Sequence, residues 1–493
     1  MGVRKLSICA AAAVALLATG VQASEAKQKL KGSMQVVYLK VPGSVDSLSE
    51  MFTKGMFYGR LRSNMFLWDW KEEKAGKRKD NHAWGLGGSL IYKSAKYNGL
   101  SMTMGLYTSQ NPAFASMDKK DVGLVKAGKD TFSRNRIRYG GKDEYTGSWG
   151  MSVLGQAYLE YAIAKTNLKV GRQLFESVFT KSNDTKMIPN TFDGVVLENK
   201  DIAATKLRAA YFTKQKLRDH TSAHDLVTFK TADGNSWGNN DDSAVHKGLS
   251  YNNFLAHNKD PNHEMILVDA NTKYVKNLNA TLSYLTVPGV VQDVVLEAHY
   301  KIPMENGWAI RPGFRYFQQI DDGGGKVAGY TNLKGKEAIG YDAGVADSLD
   351  SSLINARVDA LMPGKKGFFR FGFSQVADKA DIVAPWRGFP TGGFTRAMAQ
   401  YNWYANTRTY MVRGAYKFNK YFNSSLRVAY QDFDDDKPNV QADSTVLHLD
   451  NISKLADNLE MKVRVGLVSC DTGNTGKSDT SYNEYRLEFN YLF

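Results

Sequence analysis

From Met56 to the terminal Phe493, apolar and polar residues alternate with a period of two through one segment after another. In FYGRLRSNMFLW, Phe57, Leu61, Met65 and Leu67 share one face, and Arg60, Arg62 and Asn64 share the other. Side chains of a strand point alternately to its two faces, so each such segment reads as a strand with one apolar and one wet face. Residues 149–161 repeat the pattern with Met151, Val153, Ala157 and Leu159. Eighteen segments of this kind predict an all-β chain; those at 192–199 and 264–271 are the weakest, since neither of their faces is clearly apolar.

The connections decide which all-β fold this is. Short links at 94–99, 162–165, 200–204, 362–366 and 419–422 alternate with long ones at 109–148, 174–191, 215–263, 321–351 and 377–407, and only 287–289 breaks the order. A soluble sandwich has no reason to sort its loops by side, whereas membrane barrels carry short turns at one rim and long loops at the other. The final strand carries Tyr485, Leu487, Phe489, Tyr491 and Phe493 in an unbroken outward stripe. It must pair with the first strand, because an open edge is not tolerated in lipid. The expected fold is a transmembrane antiparallel β-barrel of about 18 strands, with long outer loops.

Three segments divide the chain. Residues 1–23 read as an export signal, with Arg4 and Lys5, an apolar core from Leu6 to Ala18, and Val21-Gln22-Ala23 before the expected cleavage. The apolar run is too short to span a bilayer as a helix. Residues 24–54 form a leader on the periplasmic side, with a short helix announced by the capping-box spacing of Ser47 and Glu50, and residues 55–493 form the barrel. Cys9 lies in the signal and leaves Cys470 alone, so no internal disulfide is expected. A formal charge of +14 commonly suggests nucleic acid, but export argues against that partner.

The face assignments turn many basic residues into the bore: Arg60, Arg62, Arg208, Arg311, Arg315, Arg357, Arg370, Arg413 and Arg427, with Lys169, Lys417, Lys462, Arg464 and Arg486 beside them. Fewer acids face them, among them Glu297, Asp359 and Glu488. An excess of guanidinium, whose charge is fixed and whose fork fits carboxylates, draws anions along a wall. Paired or solvated arginines are the plainer alternative. His220, His224, His246, His257 and His263 cluster in one long loop, where solvated side chains are expected rather than metal ligands; His299 faces the bore. No Ser/His pair stands out on adjacent strands to suggest an enzyme, so no catalytic residue, metal or cofactor is expected.

The loop at 174–191 is too greasy for water. Phe175, Val178, Phe179, Met187 and Ile188 stand among its charges, so it is expected to fold into the bore. Glu176, Lys181, Asp184 and Lys186 then line the constriction.

GRLRSNMF at 59–66, LKVGRQ at 168–173, PNTFDGVVLENKDI at 189–202 and YRLEFNYLF at 485–493 together give the chain a resemblance to the OprD-like (Opr family) outer-membrane porins, from about residue 48 to 493. The resemblance implies an 18-stranded barrel with its own pore. It implies an inward third loop at 174–191 and a contribution from the seventh loop at 377–407, with APWRGFPTGGF at its heart. It also implies a ladder of basic residues guiding small carboxylate-bearing nutrients, with Arg60 and Arg62 in matching sequence. The expected function is a passive channel for small hydrophilic solutes, in the outer membrane of a Gram-negative bacterium among lipid and lipopolysaccharide. A homotrimer and a monomer both stay open. The alternative is a surface barrel with a structural or adhesive role.

Overall fold

The structure, a computed structural model, describes residues 27–493 except 116, 118–120, 122–123, 129–130, 132–134, 140–141, 147–149, 183–186, 219, 229–247, 333–346, 399–402, 438–439 and 474. The segment expected to be an export signal therefore lies outside the described residues, as do His246, Asp184 and Lys186.

Eighteen long antiparallel strands close into one barrel, from Met56–Trp70 to Tyr482–Leu492. All eighteen expected strands form, and only their ends shift by a few residues. Closure is direct: Tyr482 pairs with Trp70 and Leu492 with Arg60, with every residue between them in register. At this seam Gly59 N–H donates to the Phe493 carbonyl at 2.9 Å, and Phe493 N–H returns the bond to Gly59 at 3.1 Å. A Cβ on Gly59 would stand 2.0 Å from the Phe493 ring, so glycine is what lets the terminal aromatic lie across the first strand.

The barrel turns the usual burial rule inside out. Phe57, Phe371 and Val412 are more than half exposed, at 58%, 52% and 59%, while Arg60 and Asp359 are at 2% and 0%. Such an apolar belt would be a liability in water and is what lipid requires. Tyr161, Tyr300, Tyr416 and Tyr421 lie at strand ends on the short-turn side, where an amphipathic ring suits the interface.

Two features of the alternation differ from the sequence reading. In Gly150–Ile163 a bulge between Leu154 and Gln156 flips the parity. Leu154 and Leu159 face outward, whereas Met151 and Val153 turn inward, not outward with Ala157 and Leu159 as expected. Gly155 permits this, since a Cβ there would meet the Tyr107 ring at 2.7 Å. The second difference is the character of the inner wall near the long loops, which is apolar. Phe192, Phe212, Met265, Leu267, Phe317 and Leu353 belong to a buried core inside the barrel. This explains why Thr191–Asn199 and Met265–Thr272 show no clearly apolar face: lipid covers one side and infolded loops cover the other.

Ahead of the first barrel strand, Leu48–Thr53 is helical, and the Ser47 hydroxyl accepts from Glu50 N–H at 3.2 Å. Met51 is buried against the first short turn, where Ala95 N–H donates to its carbonyl at 2.9 Å. Farther upstream, Gln28–Leu30 and Val36–Tyr38 form an antiparallel hairpin that the sequence reading did not anticipate.

Candidate functional site

The segment between Thr166–Gln173 and Thr191–Asn199 folds inward, as its composition demanded. Phe175 and Phe179 are its anchors. Their rings meet Phe212 at 5.1 Å and Phe317 at 5.9 Å, both on the inner wall. Met187 and Ile188 are fully buried in a second cluster with Tyr58, Ile91, Tyr107, Met151 and Val153. The parity flip at Gly155 is thus what supplies an apolar seat for the far end of the loop. Full burial of side chains this large stabilises by roughly 1.5–3 kcal/mol each, enough to hold a loop off the solvent.

The seventh long loop meets it from the opposite side. Thr180 and Arg387 form an antiparallel bridge. Lys181 N–H donates to the Trp386 carbonyl at 3.1 Å and Gly388 N–H to the Phe179 carbonyl at 2.9 Å. A Cβ on Gly388 would sit 2.1 Å from that carbonyl oxygen, so the two backbones touch only because this residue has no side chain. Below the contact lies a cavity of about 550 Å³. Glu176, Lys181, Arg208, Asp269, Glu297, Arg315 and Phe389 are among the residues that line it.

Every arginine singled out from the sequence lies on the inner wall. Arg208 pairs with Asp269, gives a 2.9 Å hydrogen bond to the Glu176 carbonyl, and stacks over Phe175 at 4.7 Å. Arg315 binds Glu297 at 2.6 Å and the Pro390 carbonyl at 2.7 Å, joining wall to seventh loop. Arg311 and Arg370 reach Asp359 at 2.7 and 2.6 Å, and Arg357 stands at 3.7 Å from the same carboxylate. Arg357 and Arg370 also both donate to the Gly393 carbonyl, at 2.5 and 2.6 Å. Gly393 holds φ +86°, a left-handed conformation that favours glycine and aims this carbonyl at the wall. Arg60 and Arg62 share Glu488, at 3.7 and 2.5 Å.

Register makes these residues a row. Arg311 is opposite Asp359, Asp359 opposite Arg370, Arg370 opposite Arg413, Arg413 opposite Arg427, and Arg427 opposite His448. Directly opposed residues share a face. Like charges side by side repel, and the wall relieves this by sharing its few carboxylates: three guanidiniums converge on Asp359, and Arg427, Lys462 and Arg464 surround Asp450. Arg413 differs from the rest. Its Nε donates to Ser425 at 2.8 Å, it stacks over Phe368 at 5.2 Å, and no carboxylate lies within salt-bridge reach among the described residues.

Of the proposed loop charges, Glu176 accepts from the Ser182 hydroxyl at 2.8 Å and from the Gln35 amide. Lys181 lines the cavity. Burial lowers its pKa, Arg315 and Arg208 act in the same direction, and Glu176 opposes them. Sequence reasoning passed over Asp269 and Asp450. Asp269 sits on a strand with two apolar faces, which hid its direction, and Asp450 would have required the register with Arg427 and Arg464.

Three of the loop histidines correct an expectation, while His257 is exposed as expected. His220, His224 and His263 are buried rather than solvated, because their loop packs Leu226, Leu249 and Phe254 onto the inner core. His220 Nδ1 lies 2.8 Å from His224 Nε2, and His263 Nδ1 lies 2.9 Å from Asp225. Among the described residues no group of three or more candidate ligands could hold a metal. His299 faces the bore, 2.6 Å from Glu297.

The sequence model described as outer membrane porin, OprD family, matches residues 126–353. No curated protein matches the chain. Among solved structures, Pseudomonas aeruginosa OpdK with vanillate is similar with a TM-score of 0.65 at 14% identity, covering 90% of this chain and 99% of that one. Acinetobacter baumannii OccAB3 gives a TM-score of 0.65 at 15% identity, with 90% and 100% covered. OccAB1 of the same organism gives 0.65 at 13%, with 90% and 97% covered. On these matches the chain is OprD-like and has the closed β-barrel fold of the OprD-family porins.

Proposed function

We propose that the chain is a passive outer-membrane channel for small hydrophilic solutes, with a preference for anions and carboxylate-bearing nutrients. The observation that carries the preference is the cross-strand row Arg370, Arg413 and Arg427, flanked by Arg311 and Arg357, on a wall with few carboxylates. Fixed guanidinium charges along a bore raise the local concentration of anions and offer each a forked partner. The two-loop constriction sets the size limit. OpdK was solved with vanillate, a carboxylate, which agrees in chemical class without naming a substrate for this chain. Family members of this fold reside in the outer membrane of Gram-negative bacteria, and residues 1–23 supply the export signal, cleaved after Ala23. The lipid-facing belt contacts outer-membrane lipid and lipopolysaccharide. The reading assigns no catalytic centre, cofactor or nucleic-acid partner.

Liposome swelling with a panel of solutes tests the reading. Small carboxylates are expected to enter faster than neutral or cationic solutes of equal size. A folded barrel that admits none of them would instead favour a structural or adhesive surface protein.

A further inference from the structure

The hairpin made by Gln28–Leu30 and Val36–Tyr38 lies inside the barrel. Its base is fixed at the seam: the Gln28 amide donates to the carbonyls of Gly59 at 2.6 Å and Phe493 at 3.2 Å. Its turn reaches across inner faces of the last strands. Met34 is fully buried at φ +65°, 3.7 Å from Asn490, and Lys462 donates to the Gly32 carbonyl at 3.4 Å. Next to the turn, Gln35 donates to Glu176, a residue of the constriction loop. The chain then leaves at the short-turn rim, where Tyr38 packs on Tyr58 at 4.6 Å and Ser44–Val45 pairs with Lys96–Tyr97.

An isolated two-stranded hairpin is marginal in water. This one owes its order to the wall and the constriction loop. Barrel closure does not need it, since the first and last strands pair over their whole length. Beside it remains a cavity of about 260 Å³, lined in part by Tyr38, Tyr58, Tyr107, Tyr158, Lys93 and Lys169.

We infer that the hairpin is a second selectivity element of the channel, filling part of the short-turn half of the bore and joining Glu176 to complete the constriction from below. Solutes leave the eyelet through the tyrosine- and lysine-lined passage beside the hairpin. The hairpin, and not the two loops alone, then sets the upper size limit. This rests on the channel reading.

The test uses the full chain, with and without residues 28–38, in planar bilayers and in liposomes. Removal is expected to raise conductance and admit larger sugars. Unchanged conductance and size limit, from a barrel that still shows folded heat-modifiable migration, would overturn the inference. A second measurement does not depend on conduction or on the deletion folding. In a Cys470→Ser background, Met34→Cys should react with a water-soluble maleimide far more slowly than Val41→Cys, which is exposed. Equal rates would place Met34 outside the bore and overturn the inference, whereas a wild-type barrel that never conducts overturns the channel reading instead.

Discussion

Replacing Arg413 by alanine should lower the anion-to-cation permeability ratio at least about fivefold at low salt, because a charge about 4 Å from a passing ion attracts an anion and repels a cation by about 1 kcal/mol each even at bulk-water permittivity. Arg413 is the residue to choose because of its partners. It stands between Arg370 and Arg427 in the row, yet among the described residues its direct contacts are the Ser425 hydroxyl and the face of Phe368. Its removal strands no carboxylate. Arg370→Ala, by contrast, takes from the buried Asp359 its closest partner, and breaking a buried pair commonly costs about 3–5 kcal/mol. Any loss of selectivity in Arg370→Ala would therefore be mixed with damage to the wall. The Arg413 effect should shrink in concentrated salt, where the screening length falls to about 3 Å. Bi-ionic reversal potentials at two salt concentrations measure both quantities. A ratio unchanged at low salt would remove Arg413 from the path of the ion.

Deleting residues 181–186 should raise single-channel conductance roughly twofold or more, since the narrowest section dominates the resistance of a pore. The deletion removes Lys181 and its link to Trp386, along with the hydroxyl of Ser182 that holds Glu176. The flanking strands remain paired from Thr166 with Asn199 to Gln173 with Phe192, so the barrel should still close. The anchors Phe175 and Phe179 on one side and Met187 and Ile188 on the other are retained. Unchanged conductance from a folded variant would mean that the third loop does not form the narrowest section.

Much of the barrel was legible in the sequence, and the reason is physical. A strand between lipid and a wet bore has to alternate, as Arg408–Lys417 does with Tyr410 and Val412 outside and Arg413 inside. The wall arginines were legible by the same rule. Four things were not. Alternation cannot reveal a bulge, so Met151 and Val153 were given the wrong face, although Gly155 marks the spot. It also fails where both faces are covered, which concealed Asp269 behind Met265 and Leu267. The hairpin at 28–38 lacks both a long apolar run and a long alternating one, and its place is set by single contacts from Gln28, Met34 and Gln35 to residues hundreds of positions away or on a distant loop. Such contacts leave no local pattern. The burial of His220, His224 and His263 was hidden in the same way, because only the inner core shows what their loop packs against.

The sign of the reversal potential of the purified wild-type channel, in a potassium chloride gradient at low salt, bears most directly on the electropositive bore. A potential of the sign carried by chloride is expected, weakening as salt rises. A potential carried by potassium that persists at low salt, where screening cannot hide the wall, would contradict it.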